Sequence, residues 1–234
     1  MQPLSRVGSS SDNLSELVYQ RIKNDIFDFK LMPGERFTES EIAQTYEVSR
    51  TPTRQALYRL QQEGYVEVAF RSGWTVRPLN LKYYDELYEM RIMIEQFAIQ
   101  KMSLLPCHEI EEIQNLMRIW KVDAVNYVQD LKTMAHIDED FHCAIVRAAG
   151  NHEMANLHQE ISEKIRIIRR LDFSKSNRIE ATYIEHQQIL NAILQQQTHA
   201  ALSMISTHIQ QSRDEVKKIT LAMLNPMQIL SSIK

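Results

Sequence analysis

Glycine and proline are both scarce in this chain of 234 residues. It contains 5 glycines and 6 prolines, whereas average usage of about 7% and about 5% would give about 16 and about 12. Sandwiches, propellers and doubly wound sheets need glycine at many tight turns and phosphate-binding loops. The scarcity therefore argues against those folds and predicts a mainly α-helical protein.

Cysteines and long apolar runs are also few. The two cysteines, Cys107 and Cys143, are too few for a disulfide framework or a thiolate metal site. No stretch approaches 18 consecutive apolar residues, and the N-terminal residues lack the apolar core of a signal peptide. We therefore expect a cytoplasmic protein with no membrane partner. A net charge of −3 argues against a chain that coats nucleic acid along its whole length, but a local basic patch remains compatible with it.

Hydrophobic periodicity divides the chain into an arm and two predicted domains. Residues 1–12 are polar and serine-rich, which is typical of a disordered arm. Residues 13–78 hold short helices and the one convincing β-hairpin pattern, and residues 79–234 show helical periodicity throughout. For the second domain we predict an all-α bundle of about six helices, over residues 81–104, 108–122, 124–149, 153–173, 177–196 and 198–224.

The first domain has the pattern of a winged helix-turn-helix. After a first helix, Thr38-Glu39-Ser40-Glu41 is a capping box for a second, and Ser49 is a good N-cap for a third. Apolar and polar residues alternate over Tyr65–Ala69, and Trp74–Val76 completes the predicted hairpin. Three short helices followed by such a hairpin predict a DNA-binding domain whose third helix enters the major groove.

Positive charge is concentrated on the third helix. Three arginines and no acidic residue lie between Ser49 and Gln62, and arginine reads guanine through two parallel donors. Threonine hydroxyls can bind phosphates, and a basic wing tip can reach a phosphate or the minor groove. Any single arginine here could instead be a solvated side chain on an amphipathic helix. We predict DNA contacts from Arg50, Thr51, Thr53, Arg54 and Arg59 and, in the wing, from Arg71, Ser72 and Gly73.

A long stretch of this domain resembles the DNA-binding region of the GntR family of bacterial transcription regulators. The stretch is PGERFTESEIAQTYEVSRTPTRQALYRLQQEGYV. It departs from the family pattern at Phe37, Ile42, Thr53 and Gln55, none of which replaces an arginine. The resemblance implies a sequence-specific regulator, for which repression is one expectation and activation stays open. Because one recognition helix covers only a few base pairs, we expect a homodimer that reads a pseudo-palindromic operator in double-stranded DNA.

In the second domain, three helices direct imidazoles inward. Asp138 and His142 are four residues apart and share a helix face, His186 falls within an apolar stripe, and His208 lies at the edge of another. A single buried histidine is more often a satisfied core residue than a ligand. Four inward nitrogen and oxygen ligands suit a divalent transition metal, for which zinc is favoured and nickel, manganese, cobalt or iron are alternatives.

The same residues resemble the metal site of the FadR-type C-terminal (FCD) domain of GntR regulators, in which D-x-x-x-H, E-H and a later H occur in that order. The resemblance implies a small organic-acid effector whose carboxylate is clamped by the metal. Arg91 lies on a core-facing helix side, where a guanidinium needs an anion. Its partner is either Glu95, four residues on, or the effector. Tyr183 is a second candidate for the effector pocket.

The sequence thus predicts a regulator whose operator affinity is controlled by a carboxylate metabolite, and no catalytic residues. A constitutive dimeric DNA-binding protein with a purely structural bundle is one alternative, and a metalloenzyme fused to a DNA-binding head is another. The remaining histidines are expected at the surface, namely His108, His136, His152, His158 and His199.

Overall fold

The computed structural model describes residues 11–69, 73–170 and 177–231, with side chains over residues 14–69, 73–170 and 178–220. The chain forms two compact units that divide between Asn80 and Leu81, two residues beyond the predicted boundary. The fold is mainly α, as the sequence predicts, with a winged helix-turn-helix unit followed by an all-helical unit. Of the predicted arm, residues 1–10 lie outside the described residues, and helix already begins at Ser11.

The first unit holds three helices and a three-stranded antiparallel sheet. Its elements are α1 (Ser11–Phe27), β1 (Arg36–Phe37), α2 (Glu39–Thr45), α3 (Arg50–Gln62), β2 (Val66–Ala69) and β3 (Gly73–Val76). The strand order is β1-β3-β2, and β1 pairs Phe37 with Trp74. The sequence predicted β2 and β3 but not β1, because two residues are too few to show an alternating pattern.

Local chemistry sets the ends of the helices in this unit. The capping box forms as predicted: the Glu41 amide donates to Thr38 Oγ1 at 3.2 Å, and the Thr38 amide donates to Glu41 Oε2 at 2.7 Å. Gly64 follows α3 with φ +82°, a conformation that glycine adopts without steric cost. Helices α1 and α3 pack against each other, and their fully buried apolar side chains are Val18, Ile22, Ile26, Leu57 and Leu60.

The second unit is a bundle of six helices among the described residues. They are α4 (Leu81–Met102), α5 (Glu111–Trp120), α6 (Leu131–Ala148), α7 (His152–Arg169), α8 (Asn177–Leu194) and α9 (Thr198–Ser231). The core contains an aromatic cluster in which Trp120 contacts Phe141, Tyr183 and His186 at ring-centroid distances of 5.4, 4.9 and 4.1 Å. Within the described ranges, no helix is long and apolar enough to span a membrane.

Helix α6 begins seven residues later than predicted. Residues Ala124–Asn126 form one 3₁₀ turn, and Asp130 then caps α6 by accepting a hydrogen bond from the Thr133 amide at 2.8 Å. The prediction of helix from residue 124 was therefore wrong. The Asp130 side chain accepts a hydrogen bond from a backbone amide, and this cap sets the start of α6 at Leu131.

Candidate metal centre and nucleic-acid interface

Four buried side chains from three helices of the second unit converge on one point. Asp138 and His142 come from α6, His186 from α8 and His208 from α9, and one ligand atom of each lies within 4.8 Å of the others. His208 Nε2 is 3.2 Å from Nε2 of both His142 and His186. Asp138 Oδ1 is 3.4 Å from His186 Nε2 and 3.9 Å from His142 Nε2.

A buried carboxylate fixes the orientation of His142. Glu95 on α4 is fully buried, and its Oε2 lies 2.6 Å from His142 Nδ1. Burial raises the pKa of Glu95, but charge interactions with His142 and Arg91 outweigh it and hold that pKa well below its ordinary value. An ionised carboxylate only accepts hydrogen bonds, so Nδ1 of His142 carries the proton. Burial also lowers the pKa of His142 to about 3, which keeps the ring neutral.

A second carboxylate fixes His208 in the same way. Glu185 Oε2 lies 2.6 Å from His208 Nδ1, and Arg178 Nη1 donates to the same oxygen at 3.1 Å. Burial raises the pKa of Glu185, but the hydrogen bond and charge of His208, together with Arg178, lower it overall. Nδ1 of His208, the atom that faces away from the convergence point, therefore donates to Glu185.

With Nδ1 of each ring held by a carboxylate, Nε2 is the nitrogen that His142 and His208 both present to the convergence point. The two Nε2 atoms are 3.2 Å apart, and Nε2 of the neutral His142 ring carries a lone pair. Imidazole nitrogens held by a carboxylate on their other side are the usual form of metal ligands. The structure therefore directs Nε2 of both rings toward one position, as in a metal site.

Asp138 and His186 complete the donor set. Asp138 Oδ2 accepts a hydrogen bond from Arg169 Nη2, while Oδ1 faces the imidazoles. Burial raises the pKa of Asp138, but the Arg169 charge and the imidazoles hold it well below its ordinary range. His186 stacks on Phe141 at 3.6 Å between ring centroids, and burial holds the pKa of His186 well below its ordinary value. Asp138, His142 and His186 are thus in the protonation state that binds a metal.

The spacing of the donors fits a small divalent ion. Ligands about 2.0–2.1 Å from zinc in a tetrahedral site are separated from one another by about 3.3 Å. Three of the four distances given above are 3.2–3.4 Å, the fourth is 3.9 Å, and all pairs of donor atoms lie within 4.8 Å. Three imidazole nitrogens and one carboxylate oxygen therefore match the chemistry of a transition-metal site and approach its size.

Sequence reasoning missed two residues near this centre. His158 was expected at the surface, but it is fully buried and its Nε2 lies 3.0 Å from Glu95 Oε1, so that prediction was wrong. Arg169, which binds Asp138, was not singled out at all. Both lie on α7 in the series His158, Ser162, Ile165, Arg169, whose spacings of four, three and four residues define one helix face. That spacing was the available signal.

The two predicted effector residues lie in the core. Arg91 is 1% exposed and donates from Nε to Glu95 Oε1 at 2.7 Å, which is the ion pair that the sequence analysis left as one alternative. Its Nη2 has no hydrogen-bond partner among the described residues. Tyr183 stacks on Tyr127 at 3.8 Å and accepts a hydrogen bond from the Val128 amide at 3.2 Å.

In the first unit, two exposed arginines lie at the start of α3. Arg54 makes a bidentate ion pair with Glu39, through Nε at 3.0 Å and Nη2 at 2.9 Å. Arg50 Nη2 is 3.7 Å from the same carboxylate. The hydrogen bond from Arg54 lowers the pKa of Glu39. Glu39 thus holds both guanidiniums together at the N-terminal end of α3, where Thr51 is also exposed.

Other predicted DNA-contact residues lie elsewhere. Thr53 is fully buried, and its hydroxyl donates to the Ser49 carbonyl at 3.0 Å, so its side chain is not available to DNA. Arg59 lies over the Tyr19 ring at 3.7 Å and pairs with Glu16, which gives it a structural role on the α1 side. In the wing, Arg71 and Ser72 lie outside the described residues. A Cβ at Gly73 would lie 3.2 Å from the Phe37 carbonyl oxygen, so close strand packing favours glycine there.

Comparison with known proteins identifies both units. Residues 14–76 match the model of the bacterial regulatory proteins of the gntR family, and residues 86–211 match the FCD domain. The chain is 30% identical over 193 residues to the Nta operon transcriptional regulator of Aminobacter aminovorans, covering 82% of this chain and 89% of that protein. It is 25% identical over 210 residues to the HTH-type transcriptional regulator YdhC of Bacillus subtilis, covering 86% and 90%.

A solved structure supports the same fold. The crystal structure of a GntR regulator from Rhodococcus sp. RHA1 matches with a TM-score of 0.65 at 18% identity, covering 87% of this chain and 97% of that chain. The family resemblance inferred from the sequence is confirmed, and these similarities are to transcription regulators rather than to enzymes. The chain belongs to the GntR family of bacterial transcription regulators, with a winged helix-turn-helix DNA-binding domain followed by an FCD domain.

Proposed function

We propose that this regulator holds a divalent transition metal, with zinc favoured, and that a small carboxylate metabolite bound beside the metal changes its affinity for a pseudo-palindromic operator. The observation that carries the proposal is the pair of Nε2 atoms of His142 and His208, which Glu95 and Glu185 orient toward the same position and which lie only 3.2 Å apart. His186 and Asp138 supply the other two donors.

The donor set also supports the class of effector. When bound, the ion would supply a Lewis-acid anchor for a carboxylate oxygen. The Nη2 of Arg91 is a buried donor without a hydrogen-bond partner in the described part of the chain, and a guanidinium favours a carboxylate. Arg91 is also linked to the centre, because Glu95 binds both Arg91 and His142.

Helix α4 is the element that can connect effector and DNA. It carries Arg91 and Glu95, and it begins at Leu81, directly after the winged helix-turn-helix unit in the chain. A ligand that rearranges the Arg91–Glu95 pair would change the position of α4 and thereby shift the population of DNA-binding states. On the DNA side, we assign the major-groove contacts to Arg50, Thr51 and Arg54 in each protomer of a homodimer.

Metal content tests the first part of the proposal. We expect purified protein to contain about one transition-metal ion per chain by elemental mass spectrometry, and chelation followed by zinc addition to lower and then restore the melting temperature. His186→Ala should lose the metal, whereas His199→Ala, at an exposed position on α9, should retain it. Equal metal content in the two variants would contradict the assignment of His186.

Ligand response tests the second part. Thermal melts of the zinc-loaded protein use malate, lactate and gluconate as carboxylate probes. Anisotropy titrations measure the affinity of the protein for an operator fragment selected from random DNA. We expect at least one probe to raise the melting temperature and to change operator affinity. A protein that responds neither to chelation nor to any of these carboxylates would instead be a constitutive DNA-binding protein whose bundle is structural.

A further inference from the structure

A small cleft lies between helices α6 and α7, and none of the four proposed metal ligands lines it. Its volume is about 50 Å³, and the two helices that form it pack directly against each other. A buried water needs about 10–15 Å³ of such space, so the cleft has room for about four water-sized groups. A tetrahedral oxyanion such as phosphate has the same number of oxygen atoms.

Positive charge dominates the lining of this cleft. Lys132 from α6 and Arg166, Arg169 and Arg170 from α7 contribute to it, against one carboxylate, Glu139. With the histidine of the lining counted as neutral, the formal surplus is three positive charges. Concave surfaces lined by one sign of charge concentrate ions of the opposite sign. The lining therefore favours a multiply charged anion over a monocarboxylate.

Arg169 has a buried donor that no described residue satisfies. Its side chain is 5% exposed, and its Nη2 donates to Asp138. Its Nη1 has no hydrogen-bond partner among the described residues, and Glu139 Oε2, at 3.9 Å, is too far away to accept from it. Glu139 is held by Arg166, which donates to it at 2.6 and 3.0 Å. A buried donor without a partner is costly, so Nη1 favours an anion in the cleft.

A small residue leaves the cleft open. On α6, Lys132, Ala135 and Glu139 are three and four residues apart, so they share one helix face. Ala135 is the one member of this series without a long side chain, and it lines the cleft. A larger side chain at this position would occupy the space between the two helices.

We infer that the cleft between α6 and α7 binds a phosphate group, held by Arg169 together with Lys132 and Arg170. The group belongs either to the free phosphate ion or to a phosphorylated metabolite. This site is separate from the proposed carboxylate site at the metal, and it does not require the metal. Arg169 links the two sites, because its Nη2 binds Asp138.

Titration calorimetry of the intact chain with inorganic phosphate, at constant ionic strength, tests the site. We expect one phosphate per chain. Ala135→Leu fills the cleft without changing its charge and should weaken binding more than about tenfold. Lys132→Gln and Arg170→Gln should each weaken it about two- to fivefold, since each removes a solvent-accessible charge. Circular dichroism shows whether Ala135→Leu is folded, and the two charge variants test the cleft without changing its packing.

Two controls separate this site from other anion binding. Lys164→Gln removes an exposed charge from α7 that does not line the cleft, and it should bind phosphate within about twofold of wild type. His186→Ala, which should lose the proposed metal, should also bind phosphate as wild type does. Loss of binding in His186→Ala would place the anion on the metal and overturn the cleft site, while leaving the proposed metal centre intact. Absence of saturable binding, or equal affinity in wild type and all cleft variants, would overturn it as well.

Two further ligands define the chemistry. Acetate at the same ionic strength should bind at least about tenfold more weakly than phosphate, because it carries one charge and two oxygens. Acetate binding as tight as phosphate binding would overturn the assignment to phosphate. Glycerol 3-phosphate identifies the source: affinity equal to or above that of inorganic phosphate supports a phosphorylated metabolite, whereas much weaker binding supports the free ion.

Discussion

The two units place their charged groups in opposite environments. In the winged helix-turn-helix unit, the Arg54 side chain is 53% exposed while it pairs with Glu39. In the FCD domain, Arg91 is 1% exposed and its partner Glu95 is fully buried. Exposed ion pairs contribute about 0–1 kcal/mol, so they can exchange a protein carboxylate for a phosphate at little cost. Buried pairs cannot do so, because removing one partner leaves an uncompensated charge.

This difference suits the two tasks. A DNA-reading surface must release its guanidiniums to a new partner, and a partly exposed carboxylate such as Glu39 can hold them in place until then. A metal centre must instead keep its ligands in one tautomer and orientation. The fully buried Glu95 and the partly exposed Glu185 do this for His142 and His208. Substitutions should therefore affect stability in the FCD domain and DNA binding in the first unit.

The largest expected effect is at Glu95. Glu95→Ala removes the acceptor of Arg91, His142 and His158, and we expect it to lower the free energy of unfolding by about 3–5 kcal/mol. Urea denaturation of the metal-free protein measures this. The matched variant in the first unit, Glu39→Ala, should cost less than about 1 kcal/mol. Similar losses in the two variants would contradict the contrast between buried and exposed pairs.

Arg54→Ala should weaken DNA binding and leave stability nearly unchanged, which is the converse of the effect expected for Glu95→Ala. It removes one bidentate donor from the proposed groove-facing end of α3, so operator binding should weaken by about 1–3 kcal/mol. Stability should change by less than about 1 kcal/mol, because the lost ion pair is exposed. Fluorescence anisotropy with a selected operator measures the affinity. Arg59→Ala is the control, since Arg59 packs on Tyr19 and should affect stability more than DNA binding.

The first unit also buries a polar group, the neutral phenol of Tyr46. Tyr46 donates to Asp25 Oδ2 at 2.6 Å, and burial followed by this hydrogen bond raises its pKa above the ordinary value of 10. The unfolded chain therefore loses its phenol proton at a pH where the folded chain retains it. Stability from Tyr46 is fully present below pH 10 and decreases above it, by about 1.4 kcal/mol at pH 11.

Tyr46→Phe separates this contribution from the titration of lysines. Urea denaturation at pH 9 and pH 11 should show a smaller loss of stability in the variant than in wild type, by about 1 kcal/mol. Equal losses in the two proteins would mean that Tyr46 ionises as easily in the folded state as in the unfolded chain.

Sequence reasoning reached the parts of this molecule that are encoded locally. The helix periodicity, the capping box at Thr38 and the hairpin pattern predicted the fold, and the spacing of Asp138 and His142 on α6 pointed to a metal site. The partners of those ligands could not be found in the same way. Glu95 and Arg169 come from α4 and α7, and their proximity to the ligands depends on helix packing rather than on spacing within one helix.

The DNA-facing residues show a related limit. The pattern of arginines on α3 indicated a basic helix, but it could not show which side of the helix each residue occupies once α1 packs against it. Thr53 and Arg59 are both on helix sides that meet the rest of the unit. Nor could sequence show that the acid preceding α3, Glu39, joins Arg50 and Arg54, because that contact depends on the angle between α2 and α3.

The smallest expected effect is at Glu39 itself. Glu39→Gln keeps the size of the side chain and removes the charge that pairs with Arg54 and approaches Arg50. A carboxylate beside the proposed phosphate path repels DNA, and its loss leaves two guanidiniums uncompensated. We therefore expect affinity for random DNA to rise by about 0.5–1 kcal/mol, with a steeper dependence on salt. Preference for the operator should decrease, because Arg54 is no longer held in one orientation.

Anisotropy titrations at several salt concentrations measure both quantities, with Glu41→Gln as a control on the same helix. Weaker binding to random DNA in Glu39→Gln would show that orienting the arginines matters more than the negative charge.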